Sequence, residues 1–235
     1  MTAAEIVEEL KSLASDSIRK TLLRHRVAEP VLGVKVEHLK KIQKRIRKNY
    51  ELSLELYDTG IYDAMYLAGL IADEQKMTKK DLEKWAKQAT SQALCGSTVP
   101  WIAAESRFGW NLGTKWIDSK KENIASIGWA TLSSLVAIQQ DDELDIEALT
   151  SLINRVEKEI HTAPNAVRYS MNGFLIAVGC YVKPMTKIAE DTGRRIGKLS
   201  IDVGDTDCKI ASCQEYIDKV RKRGTLGKKR KTARC

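Results

Sequence analysis

The sequence predicts an all-α protein, built as a superhelix (α-solenoid) of antiparallel helical hairpins. Ala, Leu, Ile and Lys dominate its 235 residues, whereas Pro occurs four times and Phe twice, a composition that favours helix over strand. Helix-start signals recur from one end of the chain to the other, separated by short connections. Amphipathic segments alternate with segments that are apolar nearly all round, as do the outer and inner helices of a solenoid. Because no strict period is visible, the repeats are expected to be degenerate.

The helix-start signals place the individual elements. Three pairs match the capping box, namely Thr2 with Glu5, Thr78 with Asp81, and Ser119 with Glu122. The third precedes "ENIASIGWATLSSLVAIQ", which carries two adjacent apolar stripes and is therefore predicted to be an inner helix. Asp145 is predicted to cap "IEALTSLINRVEKEI", and Pro164 to open a second inner helix, "NAVRYSMNGFLIAVGCYV". The one candidate strand is "KLSIDVG".

The charge is concentrated at the two ends of the chain. Residues 219–235 contain nine basic and no acidic side chains, and residues 11–48 contain twelve basic and three acidic ones. Residues 49–218 are acidic, with 18 basic against 25 acidic groups. Two separated basic segments are typical of a protein that binds a polyanion with regularly spaced charges, such as nucleic acid. The alternative is that these lysines and arginines only keep a helix soluble and a tail disordered.

The first basic segment is predicted to be a helix that packs by one side. In "GVKVEHLKKIQKRIRKNY", Leu39, Ile42, Ile46 and Tyr50 share one helical face, and lysines and arginines occupy the rest. In the preceding loop, Gly33 supplies backbone freedom or close approach. The loop is either a plain interhelix turn or a site that presents backbone amides to a phosphate.

Membrane, secreted and metal-dependent classes are disfavoured. No apolar run approaches the roughly 20 residues of a membrane span, and the first 20 residues lack the order of a signal peptide. Five scattered cysteines suit a reducing compartment, so a cytoplasmic location is expected. Cys208 and Cys213 lie five apart with no histidine nearby. Neither a metal nor a cofactor is therefore expected.

Chemistry, if the protein performs any, is expected from carboxylates and aromatic rings. Four of the five tryptophans fall between Trp101 and Trp129. Such a cluster forms either a packed core or the walls of a pocket. Trp101 and Glu105 are four residues apart and therefore share a helical face. Arg168 and Asn172 have the same spacing on an apolar helix, as members of a buried polar network or of a concave surface.

Three stretches resemble the DNA alkylation repair proteins of the AlkD-like type, which are HEAT-like α-solenoids. These are "GVKVEHLKKIQKRI", similar to the family's Gly-Val start of a basic helix, "WIDSKKENIASIGWATLSSL", similar to its Trp-x-x-Ser helix pair, and "VRYSMNGFLIAVGCY", similar to a later inner helix. The resemblance runs from about residue 3 to about residue 195. It implies a concave basic groove that holds duplex DNA and, in the active members, a glycosylase that removes alkylated, cationic purines.

The resemblance also implies roles for particular residues. Trp101 and Glu105 stand where the family's active members have Trp-x-x-x-Asp, so Glu105 is the candidate catalytic residue. Ala125 and Ser126 stand near the family's paired arginines, and Phe174 near an inner-helix tryptophan. DNA binding is compatible with these departures, whereas they weaken the expectation of glycosylase activity.

The resulting hypothesis assigns a solenoid to residues 1–198 and an extension with a basic tail to residues 199–235. The base and sugar pocket is predicted to contain Trp101, Trp116 and Arg168 beside Glu105. The predicted contacts to the DNA backbone are Lys35, Lys40, Lys41, Lys44, Lys120, Lys121, Lys228, Lys229 and Arg230. The competing hypothesis is a non-catalytic solenoid scaffold that binds a protein or peptide partner.

Overall fold

The computed structural model describes residues 1–206 and 209–234, and this part of the chain is built from helices. The α-helices are α1 (Ala3–Ser12), α2 (Asp16–Arg24), α3 (Val36–Ile46), α4 (Tyr50–Asp58), α5 (Tyr62–Ile71), α6 (Lys79–Gln88), α7 (Val99–Glu105), α8 (Gly109–Trp116), α9 (Glu122–Ile138), α10 (Ile146–Glu159), α11 (Asn165–Tyr181), α12 (Thr186–Ile196) and α13 (Cys213–Lys222). A π-helical turn, Leu94–Thr98, leads into α7. No strand is present in the described residues. The predicted all-α class is confirmed, and the candidate strand "KLSIDVG" is wrong.

Helices α5, α9 and α11 are the inner helices, and each buries most of its circumference. Helix α9 is central, because it packs against α7, α8 and α11. Trp129 of α9 is fully buried and meets Phe174 of α11 at a ring-centroid distance of 5.2 Å. Truncating a buried aromatic residue of this size typically costs about 3–5 kcal/mol. The α9–α11 pair therefore forms a large part of the buried core.

Close packing of α8 on α9 depends on a glycine. A Cβ atom on Gly128 would lie 2.6 Å from the backbone nitrogen of Ile117 and 2.9 Å from the carbonyl oxygen of Gly113. Both atoms belong to the backbone and have no rotamer by which to move away. The absence of a side chain at Gly128 thus sets the distance between these two helices.

The helix caps follow the sequence at most positions. The capping boxes at Thr2 and Thr78 are present, and the Asp145 carboxylate accepts the Ala148 amide at 2.9 Å. The box predicted at Ser119 is wrong, because the Ser119 hydroxyl accepts the Lys121 amide at 3.1 Å instead. Glu122 accepts the amide of Ala166 at 2.7 Å and so binds the first turn of α11. Tertiary contact has redirected this carboxylate.

The C-terminal residues pack into the last helices of the solenoid. Ile217 of α13 is fully buried in a space that Gly179 of α11 leaves open, since a Cβ there would lie 2.4 Å from the Ile217 side chain. Cys213 fills the space beside Gly193 of α12 in the same way. The boundary predicted at residue 198 lies in the irregular segment after α12. In the described part of the chain, no helix is long and apolar enough to cross a membrane.

Candidate nucleic-acid interface

Helix α3 exposes unpaired cations on the side that faces away from the core. Leu39 and Ile42 are buried on its packing side, while Lys41 and Lys44 are exposed and Lys40 is half-buried. Within residues 1–206 and 209–234, none of these three lysines forms an ion pair. Their charges are therefore available to an external anion.

The two ends of α3 differ from this central part. Lys35 precedes the helix, is exposed, and lies 3.9 Å from the carboxylate of Glu37, which screens part of its charge. Arg45 pairs with Glu9 of α1. Tyr50, predicted on the packing face of this helix, instead begins α4, because α3 ends at Ile46.

The loop before α3 is an interhelix turn rather than a phosphate site. Gly33 has φ +84°, and a Cβ there would lie 2.5 Å from the backbone nitrogen of Arg19. The amides of Leu32, Gly33 and Val34 donate to the carboxylate of Asp63, at 2.7, 3.3 and 2.7 Å. Asp63 is fully buried. Because these amides already have an acceptor within the chain, they are not available to a phosphate.

A cleft of about 650 Å³ opens between α9, α11 and the C-terminal residues. Small side chains form much of its floor, including Ala130 and Ser134 of α9 and Gly173 of α11. Trp101 lines it as well and is 4 % exposed, with its ring edge-to-face on Tyr66 at 5.7 Å. Trp101 thus belongs mainly to the core, and little of its surface is exposed in the cleft.

The basic tail crosses the carboxyl ends of the inner helices. It donates hydrogen bonds to four last-turn or C-cap carbonyls: Gly227 N to Cys180 O of α11 (2.8 Å), Lys229 Nζ to Val136 O (2.9 Å) and Arg230 N to Ala137 O (2.8 Å) of α9, and Arg234 Nη2 to Ala72 O after α5 (3.0 Å). Carbonyls at a helix C-terminus lack partners within the helix and carry a partial negative charge. The tail therefore supplies both donors and cations to these helix ends.

Lys229 is committed to this intramolecular role. Its side chain is 9 % exposed, and its ammonium lies 2.8 Å from Oδ1 of Asp141, as an ion pair rather than an aligned hydrogen bond. Lys228 is exposed and Arg230 is half-buried in the wall of the cleft. Of the three tail residues predicted to contact DNA, Lys229 is therefore bound to its own chain in this structure, whereas Lys228 is not.

The tail also covers Glu105, the predicted catalytic carboxylate. Glu105 Oε1 accepts the amide of Ala233 at 2.7 Å and the hydroxyl of Thr232, and Oε2 lies 3.4 Å from the Arg234 guanidinium. Ala233 is fully buried, and the Glu105 side chain is 13 % exposed. The hydrogen-bonding capacity and the charge of this carboxylate are thus largely satisfied by the chain's own C-terminal residues.

Glu74 is the point at which the two basic segments meet. Its carboxylate pairs with Lys48, just beyond α3, and with Arg234 of the tail at 2.8 Å. Burial alone would raise the pKa of Glu74, but the hydrogen bonds from Lys48 and Arg234 outweigh it and hold the pKa below its usual value. Glu74 thus joins the residue just beyond α3 to the C-terminal tail.

The residues predicted to share a pocket with Glu105 are dispersed. Trp116 is buried and lines a separate cavity near Lys115. Arg168 donates from its guanidinium to four backbone carbonyls, those of Ile160, His161, Ala163 and Ser200. That network joins the start of α11 to the segment after α12, and Arg168 does not line the cleft. The predicted grouping with Glu105 is therefore corrected.

The two positions at which the family has paired arginines, Ala125 and Ser126 in this chain, face the interior. Ala125 is 4 % exposed, and Ser126 is fully buried with its hydroxyl 2.8 Å from that of Ser170. Lys120 and Lys121, just before α9, are exposed and unpaired within the described residues. Cations at this end of α9 therefore come from the preceding loop and not from the helix itself.

Several residues of this region carried no sequence signal. Asp141 and Glu74 have ordinary acidic contexts, and only the path of the tail identifies them as its partners. Tyr169 lies on a helix predicted mainly from its apolar residues, and Tyr216 lies on α13, which was not predicted; both tyrosines are exposed and both line the cleft. Helical periodicity could have separated Tyr169 from the buried face of α11, but not placed it opposite α13. No group of three or more His, Cys, Asp or Glu side chains in the described residues could hold a metal ion.

The fold and this surface define an α-solenoid with a basic outer helix, a concave cleft and a basic tail. The sequence profile of the family described as "DNA alkylation repair enzyme" matches residues 6–187. The chain therefore belongs to the DNA alkylation repair enzyme family. The resemblance inferred from the sequence is confirmed.

The alignments with similar proteins cover nearly the whole chain. "Uncharacterized protein Lin0241" of Listeria innocua is 29% identical over 230 residues, which cover 95% of this chain and 99% of that protein. "Uncharacterized protein Lmo0209" of Listeria monocytogenes is 28% identical with the same coverage. A solved structure, described as "A new family of proteins related to the HEAT-like repeat DNA glycosylases with affinity for branched DNA structures", covers all of both chains with 31% identity and a TM-score of 0.92. The predicted HEAT-like solenoid is confirmed.

Proposed function

We propose that this protein binds DNA through the phosphate backbone, with a preference for branched over plain duplex DNA. The observation that carries the proposal is the group of unpaired lysines on the side of α3 that faces away from the core, namely the exposed Lys41 and Lys44 and the half-buried Lys40. Lysines without carboxylate partners gain most from phosphate contact, because each contact releases condensed counterions. The solved relative, described as having affinity for branched DNA, supports the branched preference.

The proposed function is DNA binding and does not include the excision of alkylated bases. A carboxylate that stabilises a cationic transition state must be free to face the sugar. Glu105 instead accepts two hydrogen bonds from the tail and pairs with Arg234. Incubation with duplex DNA that carries one 7-methylguanine is expected to release no base. Release by the wild type that Glu105→Gln abolishes would contradict this and establish a glycosylase.

The DNA-binding test is a salt titration with matched variants. Changing Lys40, Lys41 and Lys44 together to Gln is expected to weaken binding and to flatten the slope of log Kobs against log salt by about 2–3. The control changes Lys79, Lys80 and Lys87 of α6 to Gln, which removes the same charge from exposed sites on another helix. Equal effects from the two triple variants would show that net charge, and not α3, governs affinity.

The competing scaffold hypothesis is tested with the same protein. Its prediction is capture of a protein or peptide partner that survives nuclease treatment, with no measurable duplex binding at moderate salt. The proposed location is the cytoplasm, where the buried cysteines Cys95, Cys180 and Cys213 would stay reduced. Fractionation that recovers the protein outside the cytoplasm would contradict this.

A further inference from the structure

Two tyrosines line the cleft from different helices. Tyr169 of α11 is 42 % exposed and Tyr216 of α13 is 44 % exposed, in a protein that buries most of its large apolar side chains. Within residues 1–206 and 209–234, neither ring packs against another aromatic ring and neither hydroxyl has a hydrogen-bond partner. Exposed aromatic rings on the wall of a concave site offer faces on which a flat ligand can stack.

The size of the cleft restricts what it can hold. Its volume of about 650 Å³ falls in the range of roughly 300–1,000 Å³ typical of sites for small organic ligands. This is room for one or two nucleotides rather than for a duplex. The floor is open beside Gly173, since a Cβ there would meet nothing within 4 Å.

The remaining side chains of the cleft are suited to a nucleotide. Ser133, Ser134 and Asn172 offer hydrogen-bonding groups, and Asn172 is fixed by donating to the carbonyl of Ala211 at 3.2 Å. Arg230 brings a cation to the wall, with part of its guanidinium donating to the Arg234 carbonyl at 3.1 Å. Polar edges, aromatic faces and a cation are the three features that bind a base and its phosphate.

We propose that this cleft binds an unpaired nucleotide at the branch point of DNA, with the base stacked on Tyr169 and Tyr216 and its phosphate at Arg230. The inference rests on the proposed function and specifies what distinguishes a branch from a duplex. An unpaired base at a branch point can leave the helix at little cost, whereas a base in a continuous duplex must first be unpaired and unstacked. Stacking is tolerant of sequence, because every base has a π-face.

The probe is a forked DNA with 2-aminopurine as the unpaired nucleotide at the branch, next to a plain duplex with the same base paired. Binding of the wild type is expected to quench the fluorescence of the fork. Tyr169→Ala and Tyr216→Ala are each expected to weaken fork binding about tenfold and to remove the quenching. Tyr169→Phe and Tyr216→Phe keep the stacking face and are expected to stay within about twofold of the wild type. Duplex affinity is expected to be unchanged in all four variants.

A second variant tests the cleft without removing a tyrosine. Gly173→Leu places a side chain in the open floor and also replaces glycine by a better helix former, so the protein is expected to fold. Loss of the fork preference with duplex binding intact would support the cleft as the nucleotide site.

Two results would count against the inference, and they are distinguishable. Fork binding and quenching that persist in both alanine variants and in Gly173→Leu would overturn the nucleotide site. If the wild type still bound DNA in a salt-sensitive way, the proposed function would stand. Absence of binding to either DNA by the wild type would overturn both.

Discussion

Lys229→Met tests whether the basic tail stabilises the solenoid. The substitution keeps most of the side-chain volume and removes the ammonium that lies 2.8 Å from Asp141 Oδ1 and 2.9 Å from the Val136 carbonyl. Hydrogen bonds to charged groups contribute roughly 1.5–3 kcal/mol. Asp141 is 33 % exposed and also accepts the Lys183 amide at 3.2 Å, so water and that amide limit the penalty of leaving it unpaired. We expect the variant to be less stable by about 2 kcal/mol.

The assay is thermal unfolding followed by circular dichroism at neutral pH. For a chain of this size, 1 kcal/mol shifts Tm by about 2–4 °C, so the Tm of Lys229→Met should fall by about 4–8 °C. The control is Lys231→Met, an exposed tail residue without an ion pair in the described part of the chain, where the change should stay within about 0.5 kcal/mol. Equal Tm values for the two variants would refute the argument that the tail anchors the inner helices.

The remaining predictions concern the loop before α3, the tail contact at Glu74 and a buried thiol. Gly33→Ala should destabilise the protein by about 2 kcal/mol or more in urea unfolding, since φ is +84° and the Cβ would lie 2.6 Å from the Ser15 carbonyl oxygen. The control is Gly60→Ala, where φ is +69° but the Cβ would enter open space, so that the substitution should cost only about 1 kcal/mol. Equal costs for the two substitutions would contradict the steric argument. The pKa of Glu74 is lowered in the folded protein, so its stabilisation is fully present above its usual value of 4.5 and is lost as pH falls through the lower folded value. Glu74→Gln should therefore reduce the fall in unfolding free energy as the pH is lowered below about 4.5, and an unchanged pH profile would exclude this contribution. Burial raises the pKa of the Cys95 thiol to about 12, so alkylation of its peptide, followed by mass spectrometry, should be slow in the native protein and fast in denaturant; equal rates would indicate an exposed thiol.

The tail changes how the net charge of this protein is interpreted. In the sequence alone, the nine basic residues of the tail indicate that the protein binds a polyanion. In the structure, Lys229 and Arg234 neutralise Asp141, Glu74 and Glu105 and bind helix ends. The same residues therefore have a structural role, and the cations that remain free for an external polyanion are chiefly those of α3 and the exposed tail residues.

Local sequence patterns predicted the fold class, the helix starts at Thr2, Thr78, Asp145 and Pro164, and the basic helix. Each of these depends on interactions within a few residues: apolar spacing at 3.6 residues per turn, a capping side chain three residues from its amide, and lysines opposite a buried stripe. The family resemblance likewise rested on local stretches, such as "GVKVEHLKKIQKRI". The box at Ser119 was wrong because Glu122 found a partner 44 residues away in Ala166.

Which charges remain free, and which residues form the site, depend on contacts between distant parts of the chain. Arg234 meets Glu74 and Glu105 across 160 and 129 positions of the chain, and no local pattern encodes a contact of that separation. Local sequence also could not show that Trp116 and Arg168 lie away from Glu105. Trp116 lines a separate cavity, and Arg168 donates a hydrogen bond to the carbonyl of Ser200. A charge or a ring acquires its role from the groups packed beside it, and packing between distant helices is set by the whole fold.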